Sequence, residues 1–234
     1  ICLLIFSLIL LQVGGNAQKN QWTVNAGESV KEVLGDSAIY RYPQFQQGTA
    51  YYKDGSFSHA PLNLNFITGE MEFITPSKDT LAVANETSIK YITIQRNTFY
   101  FDKVYIELIH SNDAVKPGKL DIIKLTDVKK EGAFGQMSST ASISSAATLY
   151  NDNKSFYSNS QSQKLTERSA ITLQKETFFF IADSLNNFLP AEKKNINKMF
   201  SKKIPAIESF IKENKIELNK ENDLVELTDF LGKI

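Results

Sequence analysis

The sequence predicts an α+β domain: an antiparallel β-meander sheet with two to three C-terminal helices packed on it. Three observations lead there. Between Gly48 and Leu125, short alternating segments are separated by tight-turn signals. Aromatic usage favours a pleated surface, with 16 Phe and 9 Tyr against a single Trp. From Pro190 onward the apolar residues change period and recur at spacings of three and four.

Ile1–Leu11 is apolar apart from Ser7, and the first charge arrives at Lys19. That run is too short for a stable membrane span, but it matches the core of a secretory signal peptide. Gly15 and Ala17 are small residues where a signal peptidase reads them, so residues 1–17 are expected to be removed. Residues 18–234 then form one β-rich domain, helical from about 189 to 234, with no transmembrane segment. The only cysteine, Cys2, lies in the removed part. The mature chain is therefore expected to be disulfide-free, without thiol catalysis and without a lipid-anchoring cysteine.

Along the body, Gln21–Val24 reads as a short strand and Ser29–Leu34 as a helical turn closed by Gly35. Gly48–Lys53 is a strand ending at Asp54-Gly55, a dipeptide whose residues tolerate positive φ. Phe57–Ile67, Glu70–Ile74, Thr80–Ala84, Ile89–Ile94, Thr98–Phe101 and Val104–Ile109 follow as strands. Pro117-Gly118 reads as a turn before a strand at Lys119–Leu125. Because consecutive strands with short links pair with their neighbours, these form a meander. Periodicity does not show whether the sheet stays open, curves or partly closes. Gly132–Ser169 is rich in Ser, Asn and Gln and is expected as exposed loop, before buried strands return at Ile171–Leu173 and Thr177–Ile181.

Pro190 suits the first turn of a helix presenting Ile196, Met199 and Phe200. Pro205 opens a second helix, with Ile207, Phe210 and Ile211 inward and Asn214 as its stop. A third begins near Asn219 or Asn222, with Leu224, Leu227 and Leu231 inward and Gly232 at its close.

Charge and motifs narrow the function. Lys plus Arg and Asp plus Glu both total 26, so the basic excess expected of a nucleic-acid binder is missing. The two histidines, His59 and His110, stand apart and lack a second ligand at metal spacing. No nucleophile elbow, P-loop or dinucleotide fingerprint is present. Glu70 and Glu72 alternate with Met71 and Phe73, placing two carboxylates on one strand face about 7 Å apart; such a pair could in principle serve glycoside hydrolysis, but a solvated strand face beside a turn is the favoured explanation. Asp79, Glu86, Asp102 and Glu107 are scattered singly, and Asn85-Glu86-Thr87 matches a glycosylation sequon. No catalytic, cofactor-binding or metal-binding residue is assigned, and no cofactor is expected.

Four stretches taken together carry a resemblance: YPQFQQGTAYYKDG (42–55), LNLNFITGEMEFI (62–74), GAFG (132–135) and KKNINKMFSKKIPAIESFIKENKIELNKENDLVEL (193–227). In pattern and order the chain resembles a family of uncharacterised exported proteins of Bacteroidota. The resemblance implies the cell envelope, either periplasm or outer-membrane surface, and it implies no activity. The expected function is a non-enzymatic binding or interaction module that contacts a protein partner or surface component through its sheet or its Ser/Asn-rich loop. One alternative is a carrier of a hydrophobic small molecule or lipid between sheet and helices. The other is a hydrolase whose carboxylates or serines meet only in the fold.

Overall fold

The computed structural model describes residues 20–110, 115–131, 137–139 and 169–234. Its strands are β1 (Gln21–Val24), β2 (Gln46–Tyr52), β3 (Phe57–Leu64), β4 (Met71–Ile74), β5 (Thr80–Ala82), β6 (Ile89–Ile94), β7 (Asn97–Asp102), β8 (Val104–Leu108), β9 (Lys116–Glu131), β10 (Met137–Ser139), β11 (Ser169–Ala182) and β12 (Phe188–Pro190). Two short helices, α1 (Val30–Leu34) and α2 (Asp36–Ile39), precede β2; α3 (Lys193–Met199), α4 (Ile204–Glu213) and α5 (Glu221–Leu231) follow β12. The α+β class and the antiparallel sheet with C-terminal helices are as the sequence predicts.

The strand order is β1-β11-β9-β8-β7-β6-β2-β3-β4-β5, with β10 beside β9 and β12 beside β11, and every pairing is antiparallel. The meander is thus double: β2 to β5 and β6 to β9 each run strand to neighbour, and β2 pairs with β6 to join them. The two ends of the path, β1 and β5, are not paired with each other.

Three local expectations need correction. Pro117-Gly118 is not a turn; it lies inside β9, a strand of 16 residues. Proline is tolerated at the start of a strand, and the Pro117 carbonyl accepts the Ile109 N–H at 2.9 Å. Gly118 is required because a Cβ there would stand 2.5 Å from Ile106 Cγ2. Pro190 ends β12 rather than opening a helix, and α3 begins at Lys193. The two strands expected at 171–173 and 177–181 are one, β11, with a bulge between Thr172 and Leu173. Most of the Ser/Asn-rich stretch lies outside the described residues.

The sheet buries its inner face twice. Towards β1, Val24, Ile92, Phe99, Met71, Ile171 and Leu173 pack with Ile39 of α2 and Leu34 of α1. Gly35, at φ 72°, allows α1 to stop and α2 to start within one residue. Towards the other end of β11, Ile181 meets Ile196, Ile207, Leu227 and Leu231 of the three C-terminal helices. Polar contacts lie along the same face. Arg41 grips Glu107 through two bonds, Nε–Oε2 at 2.7 Å and Nη2–Oε1 at 2.9 Å. Lys119 reaches Glu221 of α5 at 2.9 Å.

Candidate functional site

Alternation along each strand sends every second side chain to the outer face, and register then decides which of them meet. Tyr51 of β2 stands opposite Phe57 of β3 and Tyr91 of β6. Ile92 pairs with Phe99, which sets Tyr91 against Tyr100 of β7. Tyr100 in turn faces Ile106 of β8. Four aromatic rings therefore line up across four adjacent strands. The centroid steps are 6.4 Å from Phe57 to Tyr51, 4.7 Å from Tyr51 to Tyr91 and 6.0 Å from Tyr91 to Tyr100. The rings are tilted against one another, at interplanar angles of 45°, 35° and 52°, in the offset arrangements aromatic pairs prefer.

The row is closed at one end and open at the other. Phe188 of β12 folds over Gly118 and brings its ring 5.6 Å from Tyr100. Together with Ile106, Leu120 and Phe180 it forms a small outer core that Tyr100 flanks. Phe57, at the other end, is 60% exposed, and Tyr51 and Tyr91 are half-buried. Phe57, Tyr51 and Tyr91 pack chiefly on one another and belong to none of the three core clusters of the described residues.

Beside this row runs a polar one. Thr49 pairs with His59 and with Thr93, and Thr93 pairs with Thr98. Thr49 Oγ1 and His59 Nδ1 are 2.9 Å apart. Neither row contains a carboxylate, ammonium or guanidinium group; Lys90 Nζ lies beside them, 5.9 Å from the Tyr91 ring. Past the turn end of β2, an open hollow of about 430 Å³ is lined by Tyr52, Lys53, Asp54, Ser56 and Ser88. Asp54 caps that turn by accepting from the Ser56 N–H at 2.9 Å and its hydroxyl at 2.6 Å, which holds its carboxyl below the usual range.

The residues weighed for chemistry are spread through the fold. Glu72 is tied down: Tyr40 Oη donates to it at 2.8 Å and Asn65 Nδ2 at 2.9 Å. Glu70 precedes β4, so the two carboxylates do not share one strand. Burial, and then the Tyr40 bond to Glu72, push that phenol well above its ordinary range. Glu107 is committed to Arg41. His59 bonds Thr49, while His110 Nε2 lies 3.4 Å from Asp229 of α5, so the two histidines serve different elements. Among the described residues no three His, Cys, Asp or Glu side chains gather as metal ligands, and no helix is long and apolar enough to cross a membrane.

On the inner face of the sheet, Tyr105 of β8 is 1% exposed and its hydroxyl has no hydrogen-bond partner among the described residues. Burial, followed by the charges of Glu86 and Glu70, drives its pKa far up. The aromatic row was missed at the level of sequence. Each ring was visible as an alternate residue of its own strand, but the β2–β6 pairing that aligns them was not. Comparison with family models, with curated proteins and with solved structures returns no match.

Proposed function

We propose that this chain is a non-enzymatic binding module of the cell envelope, and that its contact surface is the outer sheet face centred on Phe57, Tyr51, Tyr91 and Tyr100. The aromatic row carries the reading. Aromatic side chains concentrate binding energy because they offer large rigid area at little conformational cost. Phe57, Tyr51 and Tyr91 lie outside the core clusters of the described residues, and the outer core of Ile106, Leu120, Phe180 and Phe188 reaches the row only at Tyr100. By contrast, the inner face is occupied by its own packing, with Val24, Ile92 and Phe99 at 0% exposure. An exported location, with residues 1–17 removed, is part of the same proposal and rests on the apolar run Ile1–Leu11 followed by Gly15 and Ala17.

The test is co-sedimentation of the purified chain with an isolated cell-envelope fraction. The variant Phe57→Thr/Tyr91→Thr keeps strand propensity and removes two rings that support no core. The unaltered protein is expected in the pellet and the variant in the supernatant, at matched melting temperatures. Equal sedimentation of the two proteins refutes the outer face as the contact surface.

A further inference from the structure

We infer that the chain pairs with a second copy of itself through the free edge of β3, the two β3 strands lying antiparallel about a two-fold axis at Ser58. This goes beyond the envelope reading and does not depend on it. β3 is covered unevenly. On one side β2 pairs with it from Phe57 to Leu62, whereas on the other β4 pairs with Leu62, Asn63 and Leu64 alone. No described strand lies against residues 57–61 on that second side. Alternation of the backbone says which groups are left there. The Tyr52 N–H donates to the Ser56 carbonyl at 2.9 Å, so the even-numbered residues of β3 turn their backbone groups towards β2. The Asn65 N–H, just past β3, donates to the Glu70 carbonyl at 2.9 Å, so the odd-numbered residues turn theirs the other way. Phe57 and His59 therefore each hold a donor and an acceptor out at the edge, and Pro61, with no N–H, ends the run. Sheet edges are ordinarily blunted by lysines, inward-pointing charges or bulges. Residues 57–60 contain no lysine, arginine or carboxylate, and the chain balances 26 basic against 26 acidic residues, so two copies meet without net repulsion.

Self-pairing fixes its own register. With Ser58 on the axis, Phe57 faces the partner's His59 and His59 faces the partner's Phe57, so every free N–H and carbonyl of the two residues is bonded. Centring on His59 would set Phe57 against the partner's Pro61, leaving the Phe57 carbonyl without a donor. Centring on Phe57 would set His59 against the partner's Gly55, whose N–H already donates to the Tyr52 carbonyl at 3.1 Å. Side chains favour the same register, because residues directly opposite share a face. Phe57, 60% exposed, is covered by the partner's His59 in the kind of contact it makes with its own His59, edge-on at 5.2 Å between centroids. Ser58, on the axis, is small and uncharged and lets the two backbones close to ladder distance. The aromatic row then runs from Tyr51 through Phe57 to an imidazole of the second copy instead of ending in water. A foreign strand would be selected by pockets for its alternate side chains. Phe57, Ser58 and His59 are all exposed and enclose none, so what this edge matches best is itself.

The experiment uses residues 18–234, which hold every described element and no cysteine. Sedimentation equilibrium should show a reversible dimer, and an edge this short sets its dissociation constant at about 1–100 µM. Ser58→Lys puts two ammonium groups opposite each other on the axis and should weaken the dimer by about tenfold or more. Its circular dichroism and melting temperature should match those of the unaltered monomer, since Ser58 is exposed. Single cysteines read the register. Opposed residues of a non-hydrogen-bonded antiparallel pair lie about 4.5 Å apart, within disulfide reach, so Ser58→Cys should link to itself under mild oxidation. His59→Cys stands diagonal to its own copy, beyond the roughly 7 Å limit, and it should link no faster than Lys212→Cys on α4. A chain that stays monomeric at about 1 mM overturns the inference, even if its edge accepts a foreign peptide. So does a dimer that Ser58→Lys leaves intact, or linking of His59→Cys as fast as that of Ser58→Cys. The envelope co-sedimentation reads the outer face separately: a dimer that fails to pellet leaves this inference standing and removes the other.

Discussion

Gly118→Ala perturbs the point where the sheet, the outer core and the aromatic row meet. Gly118 lies on β9 opposite Leu108 of β8 and Phe180 of β11. A Cβ built there meets Ile106 Cγ2 at 2.5 Å, Phe188 Cε1 at 3.1 Å and the Glu107 carbonyl oxygen at 3.5 Å. The first distance is closer than carbon atoms approach without movement. The atom in the way is no flexible side-chain tip: it is the branch methyl of a residue 1% exposed. Forcing a methyl into a packed site costs about 1–3 kcal/mol. Relief from glycine's conformational entropy in a strand returns about 0.5–1 kcal/mol. The net loss is then up to about 2.5 kcal/mol, or up to about 10 °C in melting temperature for a domain of this size.

Urea unfolding followed by circular dichroism measures that loss as a shift in midpoint at unchanged slope. The mechanism has a sharper signature in a double-mutant cycle with Ile106→Ala. Alone, that truncation opens a cavity and should cost about 2–5 kcal/mol. With Gly118→Ala beside it, the added methyl fills part of the space, and the pair should cost at least about 1 kcal/mol less than the sum. A midpoint that is raised in Gly118→Ala, or strict additivity in the cycle, refutes the close approach of Ile106 to β9.

Three further outcomes follow from buried polar groups. Glu107→Ala should cost about 3 kcal/mol in urea unfolding because it strands the partly buried Arg41 guanidinium, while Arg41→Met/Glu107→Leu should recover most of that loss; a single variant within about 1 kcal/mol of the unaltered protein would contradict the pair's importance. Tyr105→Phe removes a buried hydroxyl that bonds to nothing among the described residues, so it should leave stability unchanged or raise it by about 1 kcal/mol; a loss larger than that would reveal a partner for the hydroxyl. Glu86 has its carboxyl raised above its ordinary 4.5 by burial first and by the Glu70 charge second. A raised folded-state pKa means stability that is present below the unfolded value and lost as pH rises through the folded one. Glu86→Gln should therefore melt higher than the unaltered protein at pH 7, with the difference vanishing below about pH 4; an equal difference at both pH values would exclude this account.

Much of the fold is legible because its strands are half-buried. Met71 and Phe73 alternating with Glu70 and Glu72, or Ile92 and Ile94 with Tyr91 and Thr93, announce a strand and its two faces before any partner is known. The helices announce themselves likewise: Ile207 and Leu224, Leu227 and Leu231 are all buried as their spacing requires. What stayed hidden was set by contacts distant in sequence. Pro117-Gly118 has the composition of a turn, and only Ile106 and Phe188 pressing on Gly118 show why a strand needs a glycine there. Pro190 has the composition of a helix start, but its pairing with Phe180 makes it the end of a strand. The join between the two meanders has no local signal at all, because the chain passes from β5 to β6 through a single 3₁₀ turn, Glu86–Ser88, and reaches β2 from the far side.

That unannounced join is what turns isolated aromatic residues into a surface. A one-residue slip of β6 against β2 would send Tyr91 to the inner face and Ile92 outward, so the register that buries Ile92 at 0% exposure also sets Tyr91 beside Tyr51. Folding accounts for the alignment but not for the residue type. A solvated sheet face is stable with polar side chains, and beyond the outer core of Leu120 and Phe180 this same sheet uses them: on β9 and β11, Lys124 Nζ meets Glu176 Oε1 at 2.6 Å. At β3, β2, β6 and β7 the equivalent positions hold four aromatic rings, three of which lie outside the core clusters of the described residues. That contrast within one face is the ground on which the aromatic row is proposed as a contact surface.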